Sequence, residues 1–210
     1  MNTVIDLTHT IKEGMPVYPG TDTPTLEEAT TVESDGFAEK KLTMFSHVGT
    51  HMDAPAHIFA GASTLDALDI SKFTGSACVL DVSTQPVITR GFLKQHSTRI
   101  ATADFVLFSS RHERLWGTEA YFSPFPVLDE EGAAWITNQS LKGLGIDAIS
   151  FDTMDAQTLP IHQILLSSGM VLIENLCNLD QMPADDSTFI ALPLKIHESD
   201  GSPIRAIAMF

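Results

Sequence analysis

Residues 47–57 read HVGTHMDAPAH, and few backbones can seat them. His47, His51, Asp53 and His57 fall within eleven positions, with Gly49 and Pro55 between them. On a helix, His51 and Asp53 would point about 200° apart and Pro55 would interrupt the hydrogen-bond ladder. An extended strand sends all four side chains to one side because their spacings are even, yet ten extended residues span roughly 33 Å. One metal or acid–base site is far smaller. The segment is therefore expected to be a strand that bends, with Gly49 permitting a tight turn and Pro55 ending the ladder, so that the side chains converge.

Imidazole and carboxylate are the side chains that bind a divalent cation at neutral pH, and histidine also carries protons. A lone histidine is more often a surface or hydrogen-bonded core residue. Three with an aspartate, among apolar and small neighbours, favour a metal site. Open coordination positions would be filled from elsewhere and by water. Glu174 follows the apolar run GMVLI, at the carboxyl end of an expected buried strand, where open α/β sheets place their sites and an unpaired charge is costly. His162 opens the helix-like IHQILLSSG after Pro160. Each of these two, taken alone, is more often structural. His9 and His112 could line a pocket, His96 and His197 read as solvated, and Asp6 and Asp152 read as turn or cap residues.

Short apolar runs alternate with helix-like stretches from residue 76 onward: ACVLDV, ITRGFLKQH, DFVLFSS, EGAAWITNQSLKG, GIDAISFD, IHQILLSSG and MVLIEN. That order predicts a partly parallel sheet with crossover helices, Gly143 and Gly169 falling at helix ends. TVIDLTH, TPTLEEATTV and FAEKKLTMFSH read as strands between Gly and Pro turns, and TFIALPLKI with SPIRAIAMF as a closing pair. The fold class is α/β, one mixed-sheet domain over residues 1–210. A chain of 210 residues, 43% hydrophobic, is large enough for a sizeable core without a staple, so Cys78 and Cys177 are expected to be buried free thiols. With 12 Lys and Arg against 27 Asp and Glu, a net charge of -15 argues against nucleic acid and anionic membranes as partners. No stretch reads as a signal peptide or membrane span, and a cytoplasmic protein is expected.

At the histidine-rich segment the chain resembles the cyclase family of metal-dependent hydrolases, which includes bacterial kynurenine formamidases (arylformamidases). That family's mark has the form HxGTHxDxPxH, and HVGTHMDAPAH agrees at every fixed position. IDLTHTIKEGMPVYPG, FDTMDAQTLPIHQILLSSG and VLIENLCNLDQMP extend the likeness over nearly the whole chain. The resemblance implies a cyclase-like fold of the swivelling β/β/α type and a centre of two zinc ions per subunit, with manganese the alternative. By the same matching, His47, His51 and Asp53 would bind one ion, Asp53 and Glu174 would bridge, and His162 would bind the second. His57 would donate and accept protons. The implied activity is hydrolysis of a small amide, an N-formyl aromatic amine such as N-formylkynurenine, giving formate and the amine in tryptophan breakdown. Relatives open cyclic amides such as isatin, so a cyclic amide or lactone hydrolase is the alternative. A non-catalytic binding protein of the same fold is a third reading, against which His57 argues. The formamidases carry tryptophan in a PxWxGD-like stretch; here PVYPGTD puts Tyr18 at that substrate-contacting place and interposes Thr21. Phe37, Phe45 and Phe59 are expected to shape the pocket, and a homodimer or homotetramer is implied.

Overall fold

The structure, a computed structural model, describes residues 3–210. Its strands are β1 (Val4–Asp6), β2 (Thr25–Thr30), β3 (Glu39–Thr43), β4 (His51–Asp53), β5 (Thr74–Asp81), β6 (Phe105–Ser109), β7 (Gly143–Ile146), β8 (Val171–Glu174), β9 (Ser187–Pro193) and β10 (Gly201–Met209). The branched apolar runs pair in parallel as β5, β6, β7 and β8. Every residue of β6, β7 and β8 is buried, as expected for parallel strands covered on both faces.

The sheet runs β10-β4-β8-β7-β6-β5-β9, and β9 pairs back onto β10, closing a seven-stranded barrel with β1 added on β10. The final two runs are the expected pair, and their pairing is what closes the ring. Alternation along the strands sorts the core into two layers. Ala77, Val79, Phe105, Leu107, Val171, Ile173, Phe189, Ala206 and Met52 belong to one cluster, in the barrel interior. Cys78, Leu80, Val106, Phe108, Leu144 and Leu172 face outward against the helices Arg90–Gln95, Glu130–Ile136 and Pro160–Ser167. Both cysteines are buried free thiols, as expected. β2 and β3 form a separate two-stranded sheet braced by exposed Lys41–Glu27 and Lys40–Glu28 pairs. No helix among the described residues is long and apolar enough to cross a membrane.

Two expectations need correction. The run GIDAISFD is not a strand over its length: β7 starts at Gly143 and ends at Ile146. Asp147 then leaves the sheet because its buried carboxylate accepts hydrogen bonds from the Ser110 backbone and hydroxyl and from the Arg111 N–H. Gly169 does end a helix, in the left-handed region at φ 79°, but Gly143 begins β7 instead. A Cβ on Gly143 would lie 2.5 Å from the Val171 carbonyl oxygen, so close strand approach explains this glycine.

Gly145 serves the same layer: its missing Cβ would sit 2.6 Å from Leu107 Cδ2 and 2.7 Å from Leu176 Cδ1. Gly145→Ala is expected to overpack the barrel and lower stability by about 1–3 kcal/mol, read as a lower urea midpoint. An unchanged midpoint would contradict this packing.

Candidate metal centre

The bend expected from the sequence is present. Gly49 adopts φ 62°, where a Cβ would press within 2.9 Å of Met15 Cε. β4 follows for three residues, and Pro55–His57 closes a 3-10 turn that carries His57 back over the strand. Antiparallel pairing of β4 with β8 sets His51 opposite Glu174. Since alternate residues share a face, His51, Asp53 and Glu174 project together while Met52 fills the barrel. His162 arrives from the first turn of the helix Pro160–Ser167.

The side chains converge closely. Asp53 Oδ1 lies 2.7 Å from His47 Nδ1 and 3.4 Å from His51 Nε2. Glu174 is 3.4 Å from His51 Nε2 through Oε2 and 3.1 Å from His162 Nε2 through Oε1. Candidate ligand atoms of His47, His51 and Asp53 all lie within 4.8 Å of one another, as do those of Asp53, His162 and Glu174 and those of His47, His57 and Asp200. Asp53 is therefore common to two sets.

Burial works against each of these charges, but the ion pairs outweigh it. Against desolvation, Asp53 and Asp200 raise His47 to about 9. Against the same opposition, Asp152, Glu174 and Asp53 raise His162 to about 10, and Glu174 and Asp53 raise His51. The imidazoles in turn hold the Asp53 and Glu174 carboxyls below their usual range despite burial. These residues fit a divalent cation. The donors are imidazole nitrogens and carboxylate oxygens, and Asp53 Oδ2 is buried without a hydrogen-bond partner among the described residues, 3.7 Å from His162 Nε2.

The surrounding contacts fix the rings. His162 Nδ1 is 2.6 Å from Asp152 Oδ2, and Asp152 also caps the helix by accepting from the Ile161 and His162 N–H groups. Asp152 is thus a cap, as its sequence position suggests, and also the carboxylate that orients His162. The His51 Nδ1–H donates to the Gly49 carbonyl at 2.8 Å, and Asn175 Nδ2 donates to the same oxygen. Asn175, at φ 56°, accepts from the Tyr121 hydroxyl at 2.6 Å. No local spacing marks Asn175 or Asp200; only the closed barrel brings them to the site.

The centre floors a cleft of about 430 Å³, lined also by Tyr18, Thr21, Phe45 and Leu159. Tyr18 thus lies on the cleft wall. Phe37 is exposed and does not line it, and Phe59 packs against the helix-side core. His9 and His112 stay outside too. His9 stacks on Trp116 at 3.9 Å, and the His112 Nε2–H donates to the Tyr121 carbonyl. His197 is solvated, whereas His96 is half-buried against Phe92.

A profile described as "Putative cyclase" matches residues 5–153, which include the whole histidine-rich segment. The chain belongs to the cyclase family. A kynurenine formamidase of Bacillus cytotoxicus is 33% identical over 205 residues, covering 97% of this chain and 95% of the relative. Isatin hydrolase A from Ralstonia solanacearum superposes with a TM-score of 0.88 at 26% identity, covering 99% of this chain and 92% of its own. A structure titled a potential metal-dependent hydrolase with cyclase activity gives a TM-score of 0.83 at 28% identity, covering 100% and 98%. The cyclase-family match stops before His162, Glu174 and Asp200, but the full-length relatives span all three.

Within this cyclase-family chain the half-buried His9 gives a separate pH test. Burial lowers it from 6.5 to about 4, so the folded state favours neutral imidazole. The unfolded chain binds the extra proton between those values, and stability should fall as pH drops from about 6.5 toward 4. His9→Phe, which keeps an aromatic on Trp116 and cannot take a proton, should flatten that part of a urea-midpoint profile. An unchanged slope would assign it elsewhere.

Proposed function

We propose that this cyclase-family chain is a metal-dependent amidohydrolase whose substrate is an N-formyl aromatic amine such as N-formylkynurenine. The observation that carries this reading is the convergence of three imidazoles and two buried carboxylates on the cleft floor, with one oxygen of Asp53 left over. The full-length likeness to kynurenine formamidases supports the substrate class. In this reading residues 1–210 work as one domain. His47, His51, Asp53, His162 and Glu174 would hold the cations, with Asp53 common to the two groups of ligands. Zinc is the proposed ion at two per subunit, with manganese the alternative. A cation bound there acidifies water and stabilises negative charge on an amide carbonyl oxygen.

The chain's own groups supply the rest. Phe45 and Tyr18 give the cleft apolar walls suited to an aromatic ring. His57, about a quarter exposed at the edge of the cleft, is the proton carrier. With Nδ1 facing Asp200, Nε2 is free to take a proton from water and return it to the departing nitrogen. The amide C–N bond breaks, the water oxygen ends on formate, and the amine leaves with the proton from His57. A cytoplasmic homodimer or homotetramer is the proposed setting.

A cyclic amide such as isatin is the second reading. Tyr18 in place of the formamidase tryptophan and the likeness to isatin hydrolase A favour it. Zinc-loaded protein is expected to release kynurenine from N-formylkynurenine, to lose that activity on chelation and to turn over isatin more slowly. Faster isatin opening would reverse the assignment. His57→Ala should keep its metal while kcat falls about 100-fold or more; undiminished turnover would remove His57 from proton transfer.

A further inference from the structure

Asp200 belongs to neither the histidine-rich segment nor the β8 end of the site, yet it touches two of the histidines. It immediately precedes β10, and its carbonyl accepts the Ala54 N–H at 2.8 Å, which ties it to the chain just past Asp53. The next residue, Gly201, pairs with Asp53 across the ladder, and a Cβ there would lie 2.4 Å from His47 Cε1. The backbone therefore holds Asp200 against His47 at close range. Its Oδ2 lies 2.8 Å from His47 Nε2 and 3.2 Å from His57 Nδ1, while Oδ1 accepts the Ser46 hydroxyl at 3.3 Å.

We propose that Asp200 is a positioning residue that orients two rings with one carboxylate: His47, which would hold the cation, and His57, which would move the proton. By accepting from His47 Nε2–H it leaves Nδ1, the atom beside Asp53, as the nitrogen that would face the cation. By accepting from His57 Nδ1–H it leaves Nε2 as the proton-carrying atom. A carboxylate can accept all three hydrogen bonds, whereas an amide of the same shape presents one oxygen and two donors. Carboxylates behind metal-binding histidines act in this way elsewhere, fixing ring orientation and raising ligand basicity. The inference rests on the metal-centre reading above.

Zinc affinity by competition with a chromophoric chelator, together with zinc content per chain, tests this without any substrate. Asp200→Asn should retain the wild-type number of ions, bind them about tenfold to hundredfold more weakly and remain folded in a thermal melt. Turnover should show a lower kcat with little change in KM, and Asp200→Glu should recover part of both losses. If Asp200→Asn does not fold, Ser46→Ala replaces it. That variant frees Oδ1 alone and should weaken zinc binding by a smaller factor. Wild-type affinity in a folded Asp200→Asn, or in Ser46→Ala where that variant stands in, would overturn the positioning role and leave the metal centre standing. Loss of a whole ion per chain would make Asp200 a ligand and overturn it equally. A wild-type protein that binds no zinc would overturn the metal centre, and the positioning role with it.

Discussion

Two carboxylates that repel one another are buried together. Asp53 and Glu174 sit on neighbouring antiparallel strands, almost fully removed from water, and an unpaired charge in such surroundings is very unfavourable. Three imidazoles reach them, and Asp53 still keeps an oxygen with no hydrogen-bond partner among the described residues. A site so rich in charge is stable only with positive charge at its centre. The ion pairs show that imidazolium can supply some of it, and a divalent cation would supply more.

The barrel makes this arrangement possible. β4 is only three residues long, and it is held on both sides, by β8 and by the start of β10. Those pairings fix its register, and a slip of one residue would exchange Met52 for the ligand face and bury His51 and Asp53 in the apolar interior. The seven-stranded ring leaves little room inside, so β7 presents glycine at positions 143 and 145, against Phe105 and Leu107. The apolar packing of the ring therefore sets the geometry of the polar site on its outer wall.

Local geometry made the histidine-rich segment legible in the sequence. Even spacing, Gly49 and Pro55 together require a bent strand, and the structure bends at those residues. The closing strands and parallel run were legible from apolar periodicity. Glu174 and His162 were left open by spacing, because neither has a patterned neighbour, and the resemblance singled them out. Gly143 departs from its expected helix end: a glycine needed for strand contact looks, in sequence, like one ending a helix. The strand ends early within GIDAISFD, where the apolar pattern does not reveal the three hydrogen bonds that pull Asp147 away. Asp200 had no signal at all: its partners His47 and His57 lie 153 and 143 residues away in the chain.

The central claim is that the paired carboxylates and imidazoles form a preorganised divalent-cation site. Urea unfolding of metal-stripped protein, repeated at increasing free zinc and manganese, tests it most directly. A cation that binds the folded state should raise stability with the logarithm of its concentration, by about 2.7 kcal/mol at a hundredfold excess over Kd. Asp53→Asn should abolish that dependence. A folded wild-type protein whose unfolding midpoint ignores both metals would contradict the account.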